Sequence, residues 1–336
     1  SWQPPRPDRR RLAVETARAE VTAADARLEA RRLDLRLHLR AVYARWALAR
    51  ERAETLSRHA ERLAALAERE RLRADRGEAS GLSVRRLELA AERVRGEADR
   101  ATAELEHARS AARGWWPDLP AGAEPRLPEL PDPDWAPGSA ATPPSSHART
   151  RSLEAAVEAA RLGGHLTERF VPTPELVAGW QRIDDGVRTV DGPLLGLSWS
   201  IPLFDRNRPD RARAEARLTA SRARLERTRR ELAAELAGAR AAYEELHASA
   251  LALRRAATRT PPMIDAATAA FRLGEADLTD LLDALRSGAE TELAAVDLLG
   301  EALAAHRDLE RAAGRALTTE RTDPTALEPD SEGDDR

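Results

Sequence analysis

Asp280 and Asp283 lie three residues apart in LTDLLDAL, a stretch whose leucine spacing is helical. Two carboxylates at that spacing share one face of a helix. Such a pair can hold or repel cations. It can equally be a solvated helix face near an N-terminus, where acids complement the dipole. The seven histidines, at 38, 59, 107, 147, 165, 247 and 306, never fall at i, i+4 on one helix or beside a carboxylate cluster in ligand spacing. With no cysteine in the chain, the sequence offers neither disulfides nor thiolate metal sites. It contains no Ser-His-Asp set, P-loop or GxGxxG. The reading is therefore of a protein that is not an enzyme, with no cofactor and no resident metal.

The elements that position the acidic pair repeat. Ser1-Trp2 opens SWQPPRPDRR and Ser198-Trp199 opens SWSIPLFDRN. About seventy residues after each start comes a Gly-Glu-Ala turn, Gly77-Glu78 in the first unit and Gly274-Glu275 in the second. Each unit reads as a strand end, a very long helix, a tight turn and a long return helix. In the first helix Ala17, Val21, Ala24, Leu28, Leu35, Leu39, Val42, Trp46, Ala49, Ala53, Leu56, Ala60, Leu63 and Ala67 alternate in steps of four and three, interrupted at Arg31. Sustained heptads predict coiled-coil packing along the whole seam. At 1.5 Å per residue, about 65 residues span roughly 100 Å. The second seam runs through Leu218, Leu225, Leu232, Tyr243, Leu253 and Ile264, and Pro261-Pro262 should kink it.

Between the repeats the period changes to two. Leu195, Leu197, Trp199, Ile201 and Leu203 alternate with small or polar residues, as do Leu176, Ala178 and Trp180 upstream. These are strands with one greasy face, about ten residues long, enough to cross a bilayer when tilted. Trp180 and Trp199 are read as interface anchors. Residues 183–193 are read as a polar hairpin loop. The expected division is a strand stub at 1–7, a helical hairpin at 8–113, a proline-rich connector at 114–146 and a short helix at 147–170. A membrane β-hairpin at 171–205, a second helical hairpin at 206–316 and a disordered acidic tail at 317–336 follow. The net charge of −3 argues against a nucleic-acid binder, and all positive charge is arginine. No apolar run is long enough for a transmembrane helix. The chain opens in the middle of a repeat unit, which implies upstream sequence.

On these motifs the chain resembles the TolC-like outer membrane efflux proteins. LGLSWSIPLFDRNR (195–208) looks like the second membrane strand running into the long periplasmic helix. FRLGEADLTDLLDA (271–284) and ADRGEASGLSVRRLELA (74–90) look like the two inter-helix tips. PLFDRNR is similar to the branch serving heavy-metal (cobalt-zinc-cadmium type) pumps. The resemblance implies a mainly α fold with a small β part: antiparallel coiled-coil hairpins form a trimeric α-barrel joined to an outer membrane β-barrel. It implies a passive exit duct for metal ions or small toxic compounds, placed in the outer membrane and extending into the periplasm. The implied partners are two further copies, a periplasmic adaptor (membrane fusion protein), an inner membrane pump and outer membrane lipid. Asp280 and Asp283 would line the channel constriction. Gly77, Glu78, Gly274, Glu275 and Leu278 would form adaptor-docking tips, and Leu176, Trp180, Leu195, Leu197, Trp199, Ile201 and Leu203 would face lipid. A soluble periplasmic coiled-coil scaffold or adaptor is the alternative; it leaves the greasy strand face unexplained, an edge hazard in water.

Overall fold

The structure, a computed structural model, describes residues 7–120, 122–133, 146–168, 174–184, 186, 188–199 and 208–317. Residues 1–6 of the expected strand stub, the lipid-face residues Ile201 and Leu203 and nearly all of the acidic tail lie outside them; the stub's last residue, Pro7, opens a helix. The described chain is mainly helical. Its elements run α1 (Pro7–Asp75), α2 (Gly81–Trp115), α3 (Ala148–Glu168), β1 (Pro174–Asp184), β2 (Thr189–Trp199), α4 (Arg208–Ala257), α5 (Thr260–Leu273) and α6 (Leu278–Ala313).

Local chemistry explains the boundaries. After its opening Pro7, α1 contains neither proline nor glycine, and Ala, Leu, Arg and Glu are strong helix formers. Gly77 ends the turn after it at φ 75°, as Gly274 does at 76° after α5 and Gly314 at 69° after α6. The expected kink at Pro261-Pro262 is a full restart. Helix α4 stops at Ala257, and α5 begins with both prolines in its first turn. There the missing N–H groups cost nothing, because first-turn donors have no helical partner.

The chain divides into two compact units, residues 1–32 with 141–234 and residues 33–140 with 235–336. The core of the second lies along the hairpins. Leu56, Leu63, Leu66 and Ala67 of α1 meet Leu87 and Val94 of α2, Ile264 of α5, and Leu281 and Leu285 of α6. Helices α5 and α6 approach closely at Gly288. A Cβ there would come within 2.7 Å of both Ile264 Cδ1 and Thr260 Cγ2, and both of those residues are buried. Gly288→Val should therefore overpack the contact and destabilise the unit by about 1–3 kcal/mol, read as a lowered midpoint in chemical denaturation. The proline-rich connector is pinned as far as it is described. Arg50 reaches the Pro125 carbonyl at 3.1 Å, the Tyr43 hydroxyl accepts from the Arg126 amide at 2.9 Å, and the Tyr243 hydroxyl donates to the Pro131 carbonyl.

Two expectations need correction. The α1 seam is buried at Trp46, Ala53, Leu56, Leu63 and Ala67, but Ala17, Val21, Ala24, Leu28 and Leu35 are exposed. Over that first part the buried positions are Ala23, Ala26 and Leu37. Heptad spacing finds a stripe but does not say which neighbour covers it, and here the chain's own helices cover another face. Secondly, most of residues 183–193 is ladder rather than loop. Ile183 pairs with Val190 and Asp184 with Thr189. The turn is tight because the Asp184 carboxylate accepts from the Gly186 amide at 3.0 Å and Gly186 takes φ 79°. Asp191, polar enough to suggest a loop, forms a two-pronged pair with Arg182 across the strands at 2.7 and 2.9 Å.

Candidate functional site

The two tips are built alike, position by position. After α1 the Gly77 amide bonds the Ala74 carbonyl and the Glu78 amide bonds Arg73; after α5 the Gly274 amide bonds Phe271 and the Glu275 amide bonds Ala270. Next come the caps of the return helices. The Ser80 hydroxyl accepts from the Ser83 amide at 3.0 Å, and the Asp277 carboxylate accepts from the Asp280 amide at 2.8 Å. Gly77, Glu78, Gly274 and Glu275 are all exposed at the turns. Leu278 is not: it is buried in the hairpin core, where the period of α6 puts it beside Leu281 and Leu285.

Asp280 and Asp283 are both exposed, and each has a local partner. Asp280 closes a capping box, its carboxylate accepting from the Asp277 amide at 3.2 Å. Asp283 pairs with Arg286 at 3.0 Å. The local energetics of a helix start account for Asp280 directly; its remaining lone pairs and the whole outer face of Asp283 stay open to solvent. In the first tip Ser83 and Arg86 occupy the matching positions, so the two tips differ in charge.

The hairpin β1–β2 brings the greasy residues to one face. Leu176 stands opposite Leu197, Ala178 opposite Leu195 and Trp180 opposite Pro193, with Trp199 in register with Pro174. Leu176, Trp180, Leu195 and Leu197 are 51%, 73%, 83% and 70% exposed. Val177, Gly179, Gln181, Gly196, Leu194 and Gly192 share the other face by register. A two-stranded ribbon of this kind is marginal alone and needs a further surface to cover it.

Sequence reasoning missed the buried polar groups. Glu310 of α6 is fully buried and accepts from Arg40 of α1 at 2.9 Å and from the Leu317 amide at 2.8 Å. His306 lies one turn away, its Nδ1 3.8 Å from Glu310, and its ring centre lies 5.0 Å from that of Tyr243 with the planes tilted by 56°. His59 of α1 meets Glu292 of α6 at 3.1 Å. No local signal marks the Arg40–Glu310 and His59–Glu292 pairs, since their members are far apart in sequence; only His306 and Glu310, four residues apart on α6, are neighbours by spacing. Burial pushes the His59 imidazole below its ordinary value, with Glu292 pulling the other way and less strongly. Burial likewise lowers His306, against Glu310. A neutral histidine favoured in the fold contributes stability above the unfolded value of about 6.5, and that contribution is lost as pH falls below it. Thermal melts should show the helices losing stability between pH 7 and pH 5, with a smaller loss in His59→Gln.

Among known proteins, the family described as "Outer membrane efflux protein" matches residues 148–315, half of the chain. No curated protein sequence matches it. The fold is similar to VceC from Vibrio cholerae, an outer membrane protein, at 22% identity and TM-score 0.74, covering 92% of this chain and 77% of that one. It is similar to the CmeC outer membrane channel of Campylobacter jejuni, at 14% identity and TM-score 0.76, covering 91% and 68%. It is also similar to the MtrE outer membrane channel of Neisseria gonorrhoeae, at 22% identity and TM-score 0.66, covering 91% and 72%. At these identities the likeness gives the fold, and the family match gives membership: the chain belongs to the outer membrane efflux proteins, the channel components of efflux pumps, which sit in the outer membrane and extend into the periplasm.

Proposed function

We propose that the chain is one protomer of a trimeric passive exit duct. Its hairpins at 8–113 and 206–316 form the tunnel wall, 114–146 and 147–170 the region between, and 171–205 part of the membrane barrel. Residues 1–7 belong with a first-repeat strand and 317–336 with a tail. The observation that carries this reading is the uncovered heptad stripe of α1. Val14, Val21, Leu28 and Leu35 recur every seventh residue and are 43%, 60%, 49% and 47% exposed. A regular apolar seam left open calls for further helices. The two-stranded ribbon, with its greasy face open, calls for further strands and for lipid. Neither need is met by a soluble scaffold, and closure by several copies meets both. Cross-linking of the full-length protein in outer membranes tests this: a trimer band is expected, and a monomer confined to the soluble fraction would overturn it.

The exposed tips at Gly77-Glu78 and Gly274-Glu275 are the proposed docking points for a periplasmic adaptor that links the duct to an inner membrane pump. Metal ions or small toxic compounds are its proposed cargo. Asp280 and Asp283 are proposed to line the constriction, where copies around an axis would make rings of carboxylates that bind multivalent cations. Asp280→Asn with Asp283→Asn keeps the size and the Asp277 cap but removes the charge. In planar bilayers the double variant should need about tenfold more trivalent cation for half block, the equivalent of ~1.4 kcal/mol. Unchanged block would leave Asp280 with its capping role alone.

A further inference from the structure

The unit formed by residues 1–32 and 141–234 holds a groove of about 800 Å³ between α1, α3 and α4. Each helix gives it one face, at helical spacing: Ala23 and Arg27 from α1, Ala160 and Gly163 from α3, Arg217 and Arg224 from α4. The floor is alanine and glycine, and a Cβ placed on Gly163 would meet nothing within 4 Å, so the floor is open rather than filled. The charges on the walls are unbalanced. Asp210 is engaged by Arg213 at 3.0 Å. That leaves Glu20 against Arg27, Arg217 and Arg224, three guanidinium groups with no hydrogen-bond or ion-pair partner among the described residues. The surplus belongs to the unit as a whole. Its residues include 24 arginines against 17 acids, in a chain whose net charge is −3.

We propose that this groove binds an amphipathic organic anion, an aromatic carboxylate or sulfonate of small-molecule size. The volume is that of a small-molecule site. A flat hydrocarbon body fits a floor of small side chains, and guanidinium forks take a carboxylate or sulfonate with two parallel bonds. A concave surface with surplus charge of one sign also concentrates the opposite ion before contact. Divalent cations are disfavoured by the same walls. On the duct reading proposed above, the groove gives the small-compound part of the cargo a class: organic anions.

Two fluorescent probes of equal body and opposite charge, 1-pyrenesulfonate and 1-pyrenemethylammonium, test the site on the purified full-length protein in detergent, with no need for a channel to form. The anion should bind about tenfold or more tighter than the cation. Arg27→Gln, Arg217→Gln and Arg224→Gln together should abolish that preference with the helical circular dichroism unchanged. The same exchange at Arg85, Arg93 and Arg95 of α2 should leave it intact. Equal affinity for both probes, anion binding that survives the groove variant, or stronger displacement of the probe by dioctanoyl-phosphatidylglycerol than by naphthalenesulfonate would each overturn the proposal, the last in favour of a lipid headgroup. The duct reading fails separately, through absence of trimers or of conductance.

Discussion

Arg40→Ala is expected to destabilise the unit of residues 33–140 and 235–336 by roughly 3 kcal/mol. It leaves Glu310, which has no access to water, with its carboxylate stripped of a charged donor. Breaking a buried pair from one side costs about 3–5 kcal/mol, because the surviving charge loses its charged partner where no solvent can replace it. Arg40 is itself 32% exposed, which places the expected loss at the lower end. The pair ties α1 to the end of α6, where Glu310 also holds the Leu317 amide after the left-handed Gly314. Two comparisons separate charge from packing. Arg40→Lys should recover part of the loss, since the ammonium keeps the charge but lacks the fork. Arg40→Met combined with Glu310→Leu should recover most of it, because removing both charges removes the penalty. Denaturant titration followed by circular dichroism gives the numbers. A single-variant loss below about 0.5 kcal/mol would mean that water reaches Glu310.

Leu197→Arg should block assembly in the outer membrane. Leu197 stands opposite Leu176 in the centre of the greasy face of β1–β2. An arginine near the midplane of a lipid-facing barrel wall costs roughly 2–4 kcal/mol per strand, and a symmetric trimer meets that cost three times. Gln181→Arg lies on the opposite face by register and should assemble nearly as the parent does. Outer membrane fractionation of both variants reads the difference. Equal yields would refute a lipid-facing role for Leu176, Trp180, Leu195 and Leu197.

What the sequence determined by itself is local and periodic. Uninterrupted Ala, Leu, Arg and Glu dictate α1, and glycines with positive φ dictate its end and those of α5 and α6. The two prolines at 261 and 262 dictate a helix start, and the period of two dictates the strands. The recurrence of Trp2 and Gly77 as Trp199 and Gly274 shows that one plan is used twice, which is why both tips cap in the same way. These features depend on neighbours a few residues apart, so their energetics can be read from the order of residues. Tertiary structure decided what the periods could not. It decided that the seam of α1 is covered at Leu56 and Leu63 but open at Val21 and Leu28, because coverage depends on which helix comes alongside. It decided that Asp191 is a strand residue paired with Arg182 rather than part of a loop, because a charge reads as loop until its partner is placed. It joined Arg40 to Glu310 and His59 to Glu292 across more than two hundred residues, and gathered Arg27, Arg217 and Arg224 around one groove. Contacts of that kind follow from the return path of the chain, and no spacing within a helix encodes it.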